Sequence, residues 1–230
     1  MNCWASGDEH VLAFLATASS GEFPRDVRAF GLDFVVYRDV FSPLLGCLPV
    51  HEALGPWVGR DLLDIGCGAG TLAVLAAKAG ARRIVATDIN PLAVANASAN
   101  VVRHAVADRV EIRQGDLFDP IGREEKFDTV FWNAPFHFVD AEAELTMLQR
   151  AAFDPGYRAI RSYVREAHRY LKLGGRLFLQ FSAAYGRQHL IQEFAHQAGV
   201  RLQVRERWPA GAGTMIPIEL LELVSHEAAA

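Results

Sequence analysis

From Asp61 to Phe181, short apolar runs rich in branched residues alternate with longer stretches whose apolar positions recur every three or four residues. Runs of the first kind suit strands buried on both faces, and stretches of the second suit amphipathic helices. Their alternation is the signature of a parallel sheet wrapped by helices. The pattern predicts strands at Leu62 to Ile65, Arg83 to Thr87, Val110 to Arg113, Asp128 to Trp132 and Arg176 to Phe181. It predicts helices at Thr71 to Ala79, Pro91 to His104 and Gly156 to Leu171. A further helix over Arg187 to Gln197 is followed by two strands, Arg201 to Trp208 and Ile216 to Val224, around the turn-rich Pro209, Gly211 and Gly213. Two strands in succession with no helix between them form an antiparallel hairpin. The expected fold class is therefore α/β: a doubly wound, seven-stranded, mostly parallel sheet closed by an antiparallel C-terminal hairpin.

Ahead of this core the pattern predicts a helix from Asp8 to Ser19 and a strand from Leu32 to Tyr37. A second helix is expected from Pro43 to Leu54, with Ser42 as its cap and Pro43 at its first position. Residues 1–56 are expected to form an extension packed over the ligand site of a domain spanning 57–230. The chain of 230 residues suffices for one such domain with a substantial core. No apolar run reaches the length of a membrane span, and Asp8, Glu9 and His10 stand where a signal peptide would carry basic residues, so a cytoplasmic location is expected. The scattered Cys3, Cys47 and Cys67 fit reduced thiols, and neither a metal site nor redox chemistry is expected. A net charge of -4 draws the chain to no polyanion, so a nucleic-acid acceptor would need a local basic patch.

The chemistry is concentrated at the ends of the predicted strands. Leu62-Leu63-Asp64-Ile65-Gly66-Cys67-Gly68-Ala69-Gly70-Thr71 sets a glycine-rich turn between a buried strand and a helix, where a ligand can approach the backbone closely. Its third glycine comes one residue too early for the dinucleotide fingerprint, which argues against a nicotinamide or flavin enzyme. The next strand ends in Asp88-Ile89, placing a carboxylate where it can accept from a ribose diol. The third is followed by Gly115-Asp116-Leu117, an acceptor for an adenine amino group beside an apolar packing residue.

From Leu62 to Phe136 the chain resembles the class I S-adenosylmethionine-dependent methyltransferases, which share a Rossmann-like fold. The resemblance implies S-adenosylmethionine as cofactor. It implies that Asp64 lies near the amino-acid part, that Asp88 holds the ribose and that Asp116 meets the adenine. Gly66, Gly68, Gly70, Ile89, Leu117 and Asn133 complete the implied cofactor site.

The fourth strand runs into Asn133-Ala134-Pro135-Phe136-His137, which resembles the (Asn/Asp)-Pro-Pro-(Tyr/Phe) motif of methyltransferases acting on amides and exocyclic amines. A planar nitrogen has a delocalised lone pair, so a site for it must orient the nitrogen with acceptors. Asn133 and the main-chain carbonyl of Ala134 can each accept one N–H. Pro135 fixes the turn, and Phe136 is expected to stack on the planar group. The departure is Ala134, where the motif has its first proline. His137 matches the form of the motif found in ribosomal-RNA guanine methyltransferases and is a candidate substrate contact. Phe41-Ser42-Pro43 is similar to a segment leading into the cofactor site of that group and of the release-factor glutamine methyltransferases.

Between this turn and the next helix, Phe138 to Pro155 is polar and carries Asp140, Glu142 and Glu144, as a substrate wall or lid would. Arg158, Arg161, Arg165 and Arg169 follow at spacings that put them on one helix face, either solvated or touching phosphates. The expected activity is methylation of an amide or amine nitrogen on a protein, peptide or small molecule. An RNA guanine is the second acceptor class, and an inactive cofactor-binding partner subunit is the third reading.

Overall fold

The computed structural model describes residues 8–43, 50–211 and 216–225. Helix α1 (Asp8–Ala18) precedes an antiparallel hairpin of β1 (Arg25–Ala29) and β2 (Leu32–Val36), and a short helix α2 (Val50–Leu54) leads into the core. There β3 (Asp61–Ile65), α3 (Thr71–Lys78), β4 (Arg83–Asp88), α4 (Pro91–Arg103), β5 (Val110–Gln114) and β6 (Phe127–Asn133) alternate as the hydrophobic pattern requires. Two short strands, β7 (His137–Val139) and β8 (Phe153–Pro155), pair in parallel outside the main sheet. They are followed by α5 (Arg158–Glu166), β9 (Leu171–Phe181), α6 (Gln188–Gln197), β10 (Val200–Trp208) and β11 (Ile218–Ser225).

The main sheet has seven strands in the order β10-β11-β9-β6-β3-β4-β5. The pairs β9-β6, β6-β3, β3-β4 and β4-β5 are parallel, and β11 runs antiparallel to both of its neighbours. The expected closing hairpin is thus present, with β11 inserted between β9 and β10. Every residue of β3 is buried. Leu62 joins the apolar cluster on one face of the sheet, with Ala73 and Ala77 of α3. Leu63 joins the cluster on the other face, with Ile160 and Tyr163 of α5. Side chains alternate along a strand, so a continuous apolar run feeds both layers and demands a helix on each side.

Two asparagines of α4 do what no apolar side chain could. Asn96 and Asn100 are fully buried on one helix face. The Asn100 carboxamide accepts the Val35 N–H at 2.8 Å and donates to the carbonyls of Val35 at 2.9 Å and Ala69 at 2.8 Å. The Asn96 carboxamide accepts the Tyr37 N–H at 2.9 Å and donates to the Val35 carbonyl at 2.8 Å. The helix therefore pairs the free edge of β2 as a strand would. At its own start, Asn90 accepts the Leu92 N–H at 3.0 Å, and Pro91 takes a position that lacks an intrahelical donor anyway.

The structure corrects the sequence in three places. β1 was not expected, because Arg25, Asp26 and Arg28 mask its alternation. The helix expected from Gly156 to Leu171 is shorter. Gly156 and Tyr157 have φ of 61° and 50°, which delays its start to Arg158, and after Glu166 the chain tightens into a 3-10 turn before β9. The arginine stripe is broken up as a result. Arg158 pairs with Glu142 at 3.4 Å, Arg161 lies 5.7 Å over the Phe194 ring, Arg165 pairs with Glu166, and Arg169 lies in the 3-10 turn. Cys3, Cys47, Gly213 and residues 44–49 of the helix expected at Pro43 to Leu54 lie outside the described residues. Among those described, no helix is long and apolar enough to cross a membrane.

Asn100→Ala removes three hydrogen bonds at once and strands buried groups of Val35 and Ala69. It is expected to cost on the order of 2–3 kcal/mol of stability, read as a lower urea midpoint with an unchanged denaturant slope. A parent-like midpoint would show that water serves these groups equally well.

Candidate active site

A cleft of about 410 Å³ opens at the carboxyl ends of β3, β4, β5 and β6, where open α/β sheets bind ligands. Its wall brings together Asp64, Gly66, Gly68, Asp88, Ile89, Asp116, Leu117, Asn133 and Pro135. Gly70, Ala134, Phe136 and His137 lie off the wall.

Asp64, near the end of β3, is 3% exposed, and its Oδ2 has no hydrogen-bond partner among the described residues. Burial, and then the neighbouring Asp88 charge, push its pKa up to about 8. A buried carboxyl oxygen left unsatisfied on a cleft wall is what a ligand ammonium group would complete. Asp88 is differently engaged: its Oδ2 accepts the Gly68 N–H and its Oδ1 the Asn90 N–H, both at 2.9 Å. Burial raises its pKa and these backbone donors oppose the rise. Asp88 therefore ties the glycine turn to the end of β4, and each oxygen keeps capacity for a ligand hydroxyl.

The glycines divide by role. Gly66 has φ 63°, and a Cβ there would stand 2.9 Å from the Trp132 Nε1. Glycine, which lacks a Cβ, therefore fits there against the Trp132 ring without displacing it. Gly70 has φ 76°, and its missing Cβ would sit 3.0 Å from that of Ala97, so it lets α4 approach the start of α3. Beyond β5, Asp116 is exposed and Leu117 takes φ 43° on the wall. The Asp116 carboxyl is nonetheless partly desolvated by the cleft, which together with Asp119 raises its pKa, with Arg150 opposing.

Asn133 ends β6 and pairs in register with Gln180 of β9, whose carbonyl accepts the Ala134 N–H at 3.3 Å. Ile65 lies opposite Trp132, which sets Asn133 beside the glycine turn. Ala134 is buried. The Phe136 ring, expected on the wall, instead meets Phe181 edge-on at 6.4 Å and His137 at 4.8 Å. His137 is buried in β7, donates its N–H to the Ala152 carbonyl at 3.0 Å and packs on Phe153 at 5.2 Å.

Asp39 went unread on the wall, whereas Phe41, Met147, Arg150 and Phe153 lie in segments expected to lead into the site or to wall it. Asp39 and Phe41 come from the strap after β2, and Met147, Arg150 and Phe153 come from the insertion after β6. Asp154 is 3% exposed and accepts the N–H groups of Ala159 at 3.2 Å and Ile160 at 2.8 Å, closing the start of α5. Burial pushes its pKa up to about 6 against those donors. The signal available was Asp154-Pro155-Gly156, a capping acid and turn directly before a helix. Asp140, Glu142 and Glu144, which marked the insertion as polar, lie off the wall.

The family model of the methyltransferase small domain matches residues 43–205. The chain belongs to that family. It is an S-adenosylmethionine-dependent methyltransferase with the class I fold. A release factor glutamine methyltransferase of Cereibacter sphaeroides is 35% identical over 167 residues, covering 69% of this chain and 59% of that protein. A chain of Methanocaldococcus jannaschii provisionally named protein N5-glutamine methyltransferase is 27% identical over 180 residues, covering 77% and 89%. Among solved structures, the 16S rRNA N2 G1207 methyltransferase of T. thermophilus, in complex with AdoMet and guanosine, superposes with a TM-score of 0.59 at 21% identity. The match covers 88% of this chain and 50% of that one.

Asp64 gives this methyltransferase a pH signature. Its folded pKa, about 8, lies above the ordinary 3.8, so the stability tied to its neutral form is complete below 3.8 and lost as pH rises through 8. Asp64→Asn is expected to melt like the parent near pH 3.8 and progressively higher than it toward pH 8, with cofactor absent. The same change should weaken cofactor binding by about 2 kcal/mol in calorimetry through loss of a charge-assisted acceptor. Equal cofactor affinity would remove Asp64 from the binding site.

Proposed function

We propose that this methyltransferase methylates a planar amide or amine nitrogen on a protein, peptide or small molecule, with a side-chain amide of a protein as the favoured acceptor. The observation that carries the proposal is the position of the Asn133 turn on the cleft wall, one strand away from the unsatisfied carboxyl of Asp64. The naming of the glutamine methyltransferases of C. sphaeroides and M. jannaschii supports the acceptor class.

In this reading Asp64 receives the ammonium of the cofactor, Asp88 the ribose hydroxyls and Asp116 the adenine. Gly66 and Gly68 leave room for the backbone of the turn to lie against it, with Ile89 and Leu117 as its apolar neighbours. Bound S-adenosylmethionine supplies an electrophilic methyl group on a sulfonium. The Asn133 carboxamide oxygen and the Ala134 carbonyl accept the two N–H bonds of the target, which orients the nitrogen and favours the positive charge it develops. Pro135 holds the turn, and Phe136 and His137 support it from behind. Residues 1–56 are read as an extension that closes the cleft through Asp39 and Phe41, and the setting as cytoplasmic.

An RNA guanine is the second reading, favoured by the shape shared with the T. thermophilus enzyme. Charge weighs against it. Asp39, Asp64, Asp88, Asp116 and Asp154 line the cleft against Arg150 and Arg158, and the whole chain carries -4. A polyanionic acceptor gains its affinity from the opposite balance. An inactive partner subunit would have no use for Asn133 and Pro135.

Methyl-labelled cofactor offered with glutamine-containing peptides, ribosomal RNA and small amides should label the peptide arm. Label confined to RNA would overturn the favoured acceptor. Asn133→Ala should lower turnover at least ~100-fold with little change in cofactor affinity, because the lost hydrogen bond acts mainly in the transition state. Asn133→Asp keeps an acceptor and should retain more activity. Parent-like rates in both variants would reduce Asn133 to a turn residue.

A further inference from the structure

Tyr157 is a fully buried residue held in an unusual conformation. Its φ of 50° lies in the left-handed region, directly after Gly156 at 61°. Non-glycine residues persist there only when their surroundings hold them, and such positions concentrate at functional sites. The surroundings here are specific. The Tyr157 hydroxyl donates to the Phe136 carbonyl and accepts the Arg187 N–H at 2.9 Å. Its ring meets Phe138 edge-on at 5.2 Å and Phe181 at 6.4 Å. Its own N–H donates to the carbonyl of Asp154 at 3.2 Å, the residue whose carboxylate closes the start of α5.

The Phe136 carbonyl is the last acceptor of the Asn133 turn, and it is confined from a second side. A Cβ on Gly186 would stand 2.8 Å from it. Three segments remote in sequence, at the ends of β6, β8 and β9, therefore converge on one carbonyl. Tyr157 is off the cleft wall, so it touches neither cofactor nor acceptor. Burial pushes the Tyr157 pKa up to about 12, which keeps the hydroxyl a donor throughout the physiological range.

We infer that Tyr157 is a positioning residue: by hydrogen bonding to the Phe136 carbonyl it fixes the Asn133–Phe136 turn against the starts of α5 and α6. This rests on the reading of that turn as the acceptor-orienting element. A turn that must hold two acceptors at hydrogen-bond reach of a nitrogen tolerates little displacement, and Ala134 in place of a proline removes a covalent restraint that the hydroxyl restores.

The test uses the whole chain with Tyr157→Phe, which keeps the ring and deletes both hydrogen bonds, and with 4-aminophenylalanine at the same position, which keeps a donor. Tyr157→Phe should lower kcat at least ~10-fold with cofactor Kd within about twofold of the parent, and the amino variant should recover most of the loss. Hydrogen exchange read by mass spectrometry should quicken in peptides spanning 133–139 and stay unchanged over β3 and β4. Parent-like kcat in Tyr157→Phe overturns the inference, as does an amino variant as slow as the Phe variant. If Tyr157→Phe is not recovered folded, the amino variant decides: a parent-like turn and rate support the inference, and a loosened turn overturns it. Quickened exchange in Tyr157→Phe, with a parent that methylates no planar nitrogen, leaves the anchor standing and removes the functional reading instead.

Discussion

Strand β3 carries a buried aspartate near each end, and the two are treated in opposite ways. Asp61 at the amino end is met by Arg82, at 2.8 and 2.6 Å, and by Lys172 at 2.7 Å. Burial works to raise its pKa, but these cations outweigh it and hold the carboxyl below its usual range. Asp64 at the carboxyl end is also buried and meets no cation among the described residues. The strands between them are covered on both faces by apolar clusters, so polar groups are restricted to the two edges. One edge is closed by ion pairs and the other is left incomplete. Incompleteness at one end of a parallel sheet is costly to stability, and it leaves at that end an acceptor that a ligand can complete.

The rest of the cleft is arranged so that the incomplete edge stays rigid. Asp88 grips Gly68 and Asn90, so the glycine turn and the start of α4 move together. Gly66 sits under Trp132 and Gly70 against Ala97, which leaves the turn no space to relax into. On the far side the Asn133 turn is held through Gln180, Ala152 and Tyr157. Both halves of the cleft thus rest on neighbouring strands instead of on mobile loops, as transfer between two bound partners requires.

Most of this was readable before the structure. The order of strands and helices from Asp61 onward follows from hydrophobic period alone, because each central strand is apolar on both faces. The three aspartates and the glycine turn were readable because they sit at fixed distances from those strands. What escaped were features set by contacts remote in sequence. Asn96 and Asn100 look like ordinary polar positions on a helix until β2 is laid beside them. Tyr157 and Asp154 look like turn and helix residues until three chain segments close on them. Phe136 and His137 were misplaced for the same reason. An aromatic after a turn can face the ligand or the protein, and only Phe181 and Phe153 decide which.

One side of the cleft has a packing unit of its own. Leu15 of α1, Val139 of β7, Ala152, and Phe153 of β8 form an apolar cluster separate from the two that cover the main sheet. Phe41 packs on this cluster and also lines the cleft. The strap after β2 and the insertion after β6 thus reach the cleft wall, and α1 packs on the same cluster behind them. A small cluster has fewer contacts to lose than the central layers, so its opening free energy is lower than that of the sheet. The cleft therefore joins a floor anchored in the main sheet to a wall packed on a cluster of its own.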